Sequence, residues 1–260
     1  MRADFRDKTM KKMANETYQR QIVRLVKAMS RAEDEAAVAN DLAAGSDAAC
    51  VKMFVDGNLE KRRDKLEHQL EFVAEAFEEF DELIREYIRS GSSLAYDTAE
   101  SDGERMLLWL TETKSLSPEQ LDYITCQRAR HAVEDLARKS RLKHVRFQEL
   151  CSLTDRWLLE FDSSADLQVY LNPIRVWSRF ETLALLDEDS TPPANVLFYA
   201  AGEEVGTAVL ELEGQALINE LADYQPCTLA EWVTLTSQAE PAELIETCRD
   251  LAEMGLVAFG

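Results

Sequence analysis

The chain has 260 residues, 46% of them hydrophobic, and carries 29 Lys and Arg against 49 Asp and Glu, a formal net charge of −20. That is enough apolar material for a real core, but the charge argues against a general nucleic-acid binder or an anionic-membrane binder, both of which need cations. No run approaches the roughly 18 consecutive apolar residues of a membrane-spanning helix.

The first 31 residues hold nine basic side chains against three acids and have no apolar h-region, so no secretory signal is expected. Cysteines 50, 126, 151, 227 and 248 are scattered, odd in number and never in a C-x-x-C pair. They read as reduced thiols of a cytoplasmic protein, not as a disulfide framework.

Residues 1–179 read as helical. An N-terminal helix at about Thr17–Ser30 carries Ile22, Leu25, Val26 and Met29. From Leu59 to Ser90, the residues Leu66, Leu70, Val73, Phe77, Phe80, Ile84 and Tyr87 recur at spacings of four and three. That stripe predicts one amphipathic helix, with Gly91 as its C′ residue. Ser92–Arg105 is short of apolar residues and reads as a loop. Ser117-Pro118-Glu119-Gln120 predicts the capped start of a helix with a stripe of Leu121, Ile124, Ala129, Ala132 and Leu136. A further helix over Val145–Phe161 carries Phe147, Leu150, Thr154, Trp157 and Phe161.

The pattern changes after Arg179. Phe180–Leu186, Asn195–Ala201 and Val205–Leu212 read as strands, the last two joined by a turn at Gly202-Glu203-Glu204. Helices follow at Gly214–Asp223, at Thr228–Ser237 with Thr228 and Glu231 as a capping box, and at Pro241–Met254 with Gly255 as its C′ residue. Leu256–Phe259 closes as a short strand. The expected fold is α+β and mostly α. A basic segment (1–31) and a helical bundle (32–179) precede a small winged-helix-like β3α3 domain (180–260).

Catalytic motifs are missing. The only histidines are His68, His131 and His144, none four residues from another, and no zinc spacing, P-loop, G-x-G-x-x-G or G-x-S-x-G occurs. No catalytic residue, metal ligand or cofactor of this chain is expected.

The stretch Val196–Leu221, with Gly214, Leu217 and Leu221, then Thr228, Leu229 and Glu231, then Leu251, Gly255, Leu256 and Val257, resembles the PqqD-like precursor-peptide recognition element of ribosomal peptide (RiPP) pathways. Where that family has Asp-Gly after its first helix, this chain has Asp223-Tyr224-Gln225-Pro226. Asn58–Tyr87, with Arg62, Arg63 and "Phe-x-x-Phe-x-x-Leu-x-x-x-Tyr" over Phe77–Tyr87, resembles HvfC-like partner proteins. Leu121–Leu136, with Arg128-Ala-Arg-His131, does too. Those proteins pair with TIM-barrel multinuclear iron enzymes of the methanobactin-synthase type.

The resemblance implies a non-catalytic subunit that binds a leader peptide and docks on an iron enzyme as a heterodimer, with all the iron on the partner. Such domains bind by adding a peptide strand to a sheet edge. The edge would be Val205, Thr207, Val209 and Glu211, and the groove wall Leu244, Thr247, Cys248 and Leu251, rimmed by acids that favour Lys or Arg. The alternatives are an acidic helical scaffold and a winged-helix regulator. Against the regulator, Thr228–Ser237 contains no Arg or Lys.

Overall fold

The computed structural model describes residues 48–90, 100–158, 166–186, 190–210, 212–235 and 241–260. The expected basic segment 1–31, the helix at Thr17–Ser30 and Gly91 lie outside the described residues. The chain divides into two compact units, Met1–Gln120 and Leu121–Gly260. The expected boundary at 179 and 180 therefore moves to Gln120 and Leu121, because the helices after residue 120 pack on the sheets.

The first unit contains α1 (Ala48–Gln69), α2 (Glu71–Ala74), α3 (Phe80–Arg89) and α4 (Asp102–Thr113). The single helix expected over Leu59–Ser90 is thus three pieces, broken at Leu70 and again at residues 75–79. Its apolar stripe survives the breaks: Leu66, Leu70, Val73, Phe80, Ile84 and Tyr87 are all buried. Glu71, Glu75, Glu78, Glu79 and Glu82 stack like charges at helical spacing across the second break, which weakens a continuous helix there. The expected loop Ser92–Arg105 is corrected at its end, since Asp102–Arg105 are the first turn of α4. The Ser101 hydroxyl accepts from the Glu104 backbone N–H at 3.1 Å and caps that helix.

The unit is pinned by Asp102. Its carboxylate accepts both Arg62 N–H bonds, at 2.6 and 2.7 Å, the Tyr87 hydroxyl at 2.9 Å and Arg105 at 3.0 Å. The Arg62 guanidinium also lies 5.6 Å from the centre of the Tyr87 ring.

Helix α5 (Pro118–Lys139) begins at the division with the expected capping box. Ser117 N–H donates to Gln120 Oε1 and Gln120 N–H to Ser117 Oγ. Its buried face is rotated from the expected one: Leu121 and Ala132 are exposed, while Asp122 and Val133 are buried. The cause lies outside the helix. Asp122 accepts from the N–H groups of Glu181 and Thr182, at 3.0 and 2.7 Å, and from the Thr182 hydroxyl at 2.6 Å.

The second unit continues with α6 (Arg141–Leu158), β1 (Gln168–Leu171), β2 (Arg175–Phe180), β3 (Ala194–Ala201) and β4 (Glu204–Val209). After these come α7 (Leu212–Tyr224), β5 (Cys227–Thr228), α8 (Leu229–Leu235), α9 (Pro241–Glu253) and β6 (Val257–Phe259). The chain is α+β and mostly helical, and its described strands form two antiparallel three-stranded sheets, ordered β5-β1-β6 and β2-β3-β4. Two expectations are corrected. Residues 168–171 and 175–179 are in strands, not helix, and the strand expected at Phe180–Leu186 is only the end of β2, since Asp122 takes the next two N–H groups.

The β2-β3-β4 sheet is covered on both faces. Val176, Phe180, Val196, Phe198, Ala200 and Val205 face Cys126, Ala129 and Val133 of α5. Leu197, Tyr199 and Ala208 face a second core built from α7, α8, α9, β1 and β6. Asn172, fully buried, ties the unit together. Its amide donates to the carbonyls of Ala200 and Gly255, and its oxygen accepts from Ile174 N–H.

Candidate peptide-binding edge

The hairpin that makes the candidate site was legible in the sequence. Ala201 pairs with Glu204, leaving a two-residue turn of Gly202 and Glu203, and Gly202 takes φ +64°. Glycine is the residue that adopts that left-handed conformation at little cost. From the turn, β4 returns along β3 with Val205 opposite Ala200, Thr207 opposite Phe198 and Val209 opposite Val196.

Strand order makes β2 and β4 the two edges of this sheet. They differ in chemistry. Edge β2 carries Arg175 and Arg179, and charge on an edge strand opposes further pairing. The Arg175 guanidinium is half-buried and donates to the Asn172 carbonyl at 2.7 Å, and burial holds its pKa below the ordinary value. Edge β4 reads Glu-Val-Gly-Thr-Ala-Val, with no Lys, Arg or Pro and one charge at its first position. Thr207 is exposed, and Val209 is 44% exposed.

Side chains alternate across a strand, which divides the expected site between two faces. Val205, Thr207 and Val209 share the α5 face, and Val205 packs against the α5 cluster. The expected wall lies behind the other face. Cys248 is fully buried and Leu251 4% exposed, both in the core that holds Ala208. The groove between β4 and the last helix, lined by Cys248 and Leu251, is therefore corrected: those side chains are core. Burial, with Cys227 nearby, pushes the Cys248 thiol far above its ordinary range. Thr247 is half-buried, Glu246 and Asp250 are exposed, and Glu211 and the side chain of Leu244 lie outside the described residues.

Three residues of this edge were not singled out from the sequence. Gly206 and Ala208 are the small residues of β4 on the inner face, and Tyr199 is the cross-strand partner of Gly206. The tip of the Tyr199 ring lies over Gly206. A Cβ there would stand 2.7 Å from Tyr199 Cζ and 2.9 Å from its hydroxyl. Alternating small residues in an edge strand were the available signal.

No described group of three or more His, Cys, Asp or Glu could hold a metal ion, and no described helix is long and apolar enough to cross a membrane. His131 sits 3.0 Å from the Gln127 amide nitrogen on α5, away from the other histidines in sequence. Compared with protein-family models, curated proteins and solved structures, the chain matches none.

Proposed function

We propose that this chain is a peptide-binding partner subunit of a ribosomal peptide-modifying complex, with residues 121–260 holding a PqqD-like, winged-helix recognition element. The leader of a precursor peptide adds as a strand to β4, and an iron-dependent TIM-barrel enzyme, bound as a heterodimer, carries the oxidative chemistry on the peptide cysteine. The observation that carries this reading is the edge position of β4, a strand whose one charge is Glu204 at its start and which exposes Thr207 and Val209. Main-chain N–H and C=O groups along such an edge give affinity for an extended peptide, and side-chain positions on the two faces give selectivity.

Two further features support it. Residues 181–260 carry sixteen acids and a single base, Arg249, so the surroundings favour a cationic peptide. The sequence resemblance to peptide recognition elements covers the same strands and helices.

The test is to purify the tagged full-length chain from its source and to analyse co-purifying chains, peptides included, by mass spectrometry and metal analysis. An iron-bearing enzyme recovered with a small cysteine-containing peptide is the expected result. Nucleic acid, or an enzyme of nucleic acid, as the sole partner would overturn the reading in favour of a regulator.

A further inference from the structure

Tyr199, Gly206 and Arg175 form one row across the sheet: Arg175 pairs with Tyr199, and Tyr199 with Gly206. Tyr199 is 5% exposed, and its hydroxyl has no hydrogen-bond partner among the described residues. The Arg175 guanidinium, on the same row, donates to the Asn172 carbonyl at 2.7 Å. A glycine in a strand interior costs stability through chain entropy and lost packing. Here it has a specific use. Any larger residue at 206 would drive its Cβ into the ring, so Gly206 allows Tyr199 to lie across the last strand of the sheet with its hydroxyl above β4.

We propose that Tyr199 is a specificity-determining residue that reads one side chain of a peptide paired with β4. This rests on the strand-addition reading above and names what that strand must carry. A residue opposite Gly206 on an added strand presents its side chain on the face where the Tyr199 ring lies. Directly opposite Cβ positions in paired strands are about 4.5–5.5 Å apart. The Tyr199 hydroxyl stands 2.9 Å from the Cβ position of residue 206. A short polar side chain at the opposite position, Ser, Thr or Asn, therefore meets the hydroxyl, whereas Ala leaves it unpaired. Two residues along the peptide, the position opposite Ala208 shares the face of that methyl group. The occupant is an extended peptide with Ser, Thr or Asn opposite Gly206, flanked by Lys or Arg to match the acidic surroundings.

The test uses the full-length chain. Random peptides of about ten residues, the upper end of ordinary strand length, are selected on it by display. Individual winners are synthesised with Ser, Thr or Asn at the shared polar position and again with Ala there. Dissociation constants are measured for the wild type, Tyr199→Phe and Gly206→Ala, and backbone amide exchange is followed over Glu204–Val209. The wild type should favour the polar peptide over its Ala version by roughly three- to tenfold, the ordinary range for one neutral hydrogen bond. Tyr199→Phe should bind both peptides alike, and Gly206→Ala, which displaces the ring, should do the same. A purely structural Tyr199 would weaken both peptides equally and keep the preference. Slowed exchange over Glu204–Val209 together with an undiminished preference in Tyr199→Phe overturns the role of Tyr199 while leaving the edge reading intact. Peptides that bind without slowing exchange over Glu204–Val209, or a selection that yields no binder, overturn the edge reading itself.

Discussion

Asp102 accepts four hydrogen bonds from three side chains, and its titration is opposed by that geometry. Burial alone would raise its pKa, but the hydrogen bonds and charge of Arg62, with Tyr87 and Arg105, hold it below the ordinary 3.8. A carboxylate whose native pKa is depressed contributes stability that is present above the unfolded value and lost as pH falls through the native one. Asp102→Asn should cost about 2 kcal/mol near neutral pH, because Arg62 is left without its counter-charge. The variant should also lose part of the acid-side decline in stability, and urea midpoints measured as a function of pH check both. Tyr87 titrates in the opposite sense. Burial, and then the charge of Asp102, push its phenol from 10.0 up to about 12. Its contribution is complete below pH 10 and is lost as pH rises toward about 12. Ultraviolet titration of phenolate absorbance should show a late phase that Tyr87→Phe removes.

At the scale of the element, local chemistry was the legible part of this chain. The capping boxes at Ser117 and Gln120 and at Thr228 and Glu231 form with both reciprocal bonds, because each needs only residues three apart. Gly255 ends α9 as expected. It takes φ +75°, its N–H donates to Ala252 and the Leu256 N–H to Leu251, the two bonds of a Schellman motif. Gly255→Ala should cost about 1–2 kcal/mol, the penalty of a left-handed conformation for a residue with a Cβ. A Cβ there meets no atom within 4 Å, so a thermal melt would report backbone strain and not a clash. Long-range causes were not legible. The rotation of α5 is set by Asp122 capping a turn sixty residues away, and nothing in the periodicity of α5 records that. Strands β1 and β2, four and six residues long, were too short to overrule a helical neighbourhood. Helix α4 was missed despite Ser101 and Glu104. At the candidate site the edge strand and its hairpin were found. The assignment of its wall failed because period-two alternation puts Thr207 and Val209 on one face and the Cys248 core behind the other.

On the scale of the whole molecule, charge is the property most able to separate specific pairing from mere attraction. A net charge of −20 draws any cationic peptide toward the chain, whether or not it joins the sheet. Screening tells the two contributions apart, since the Debye length falls from about 10 Å at 0.1 M salt to about 3 Å at 1 M. Main-chain hydrogen bonds at β4 and a hydroxyl contact at Tyr199 act over shorter distances and are screened little. For a basic peptide that pairs with β4, the same salt increase should weaken binding on the order of tenfold, mainly through slower association. An analogue with its Lys and Arg changed to Gln should bind more weakly at low salt and lose little affinity as salt rises. The preference for Ser over Ala opposite Gly206 should persist in both peptides at both salt concentrations. Stopped-flow association and dissociation rates for the two peptides measure this directly. A preference that vanishes with screening would mean that the acidic surface, and not the edge of the sheet, does the selecting.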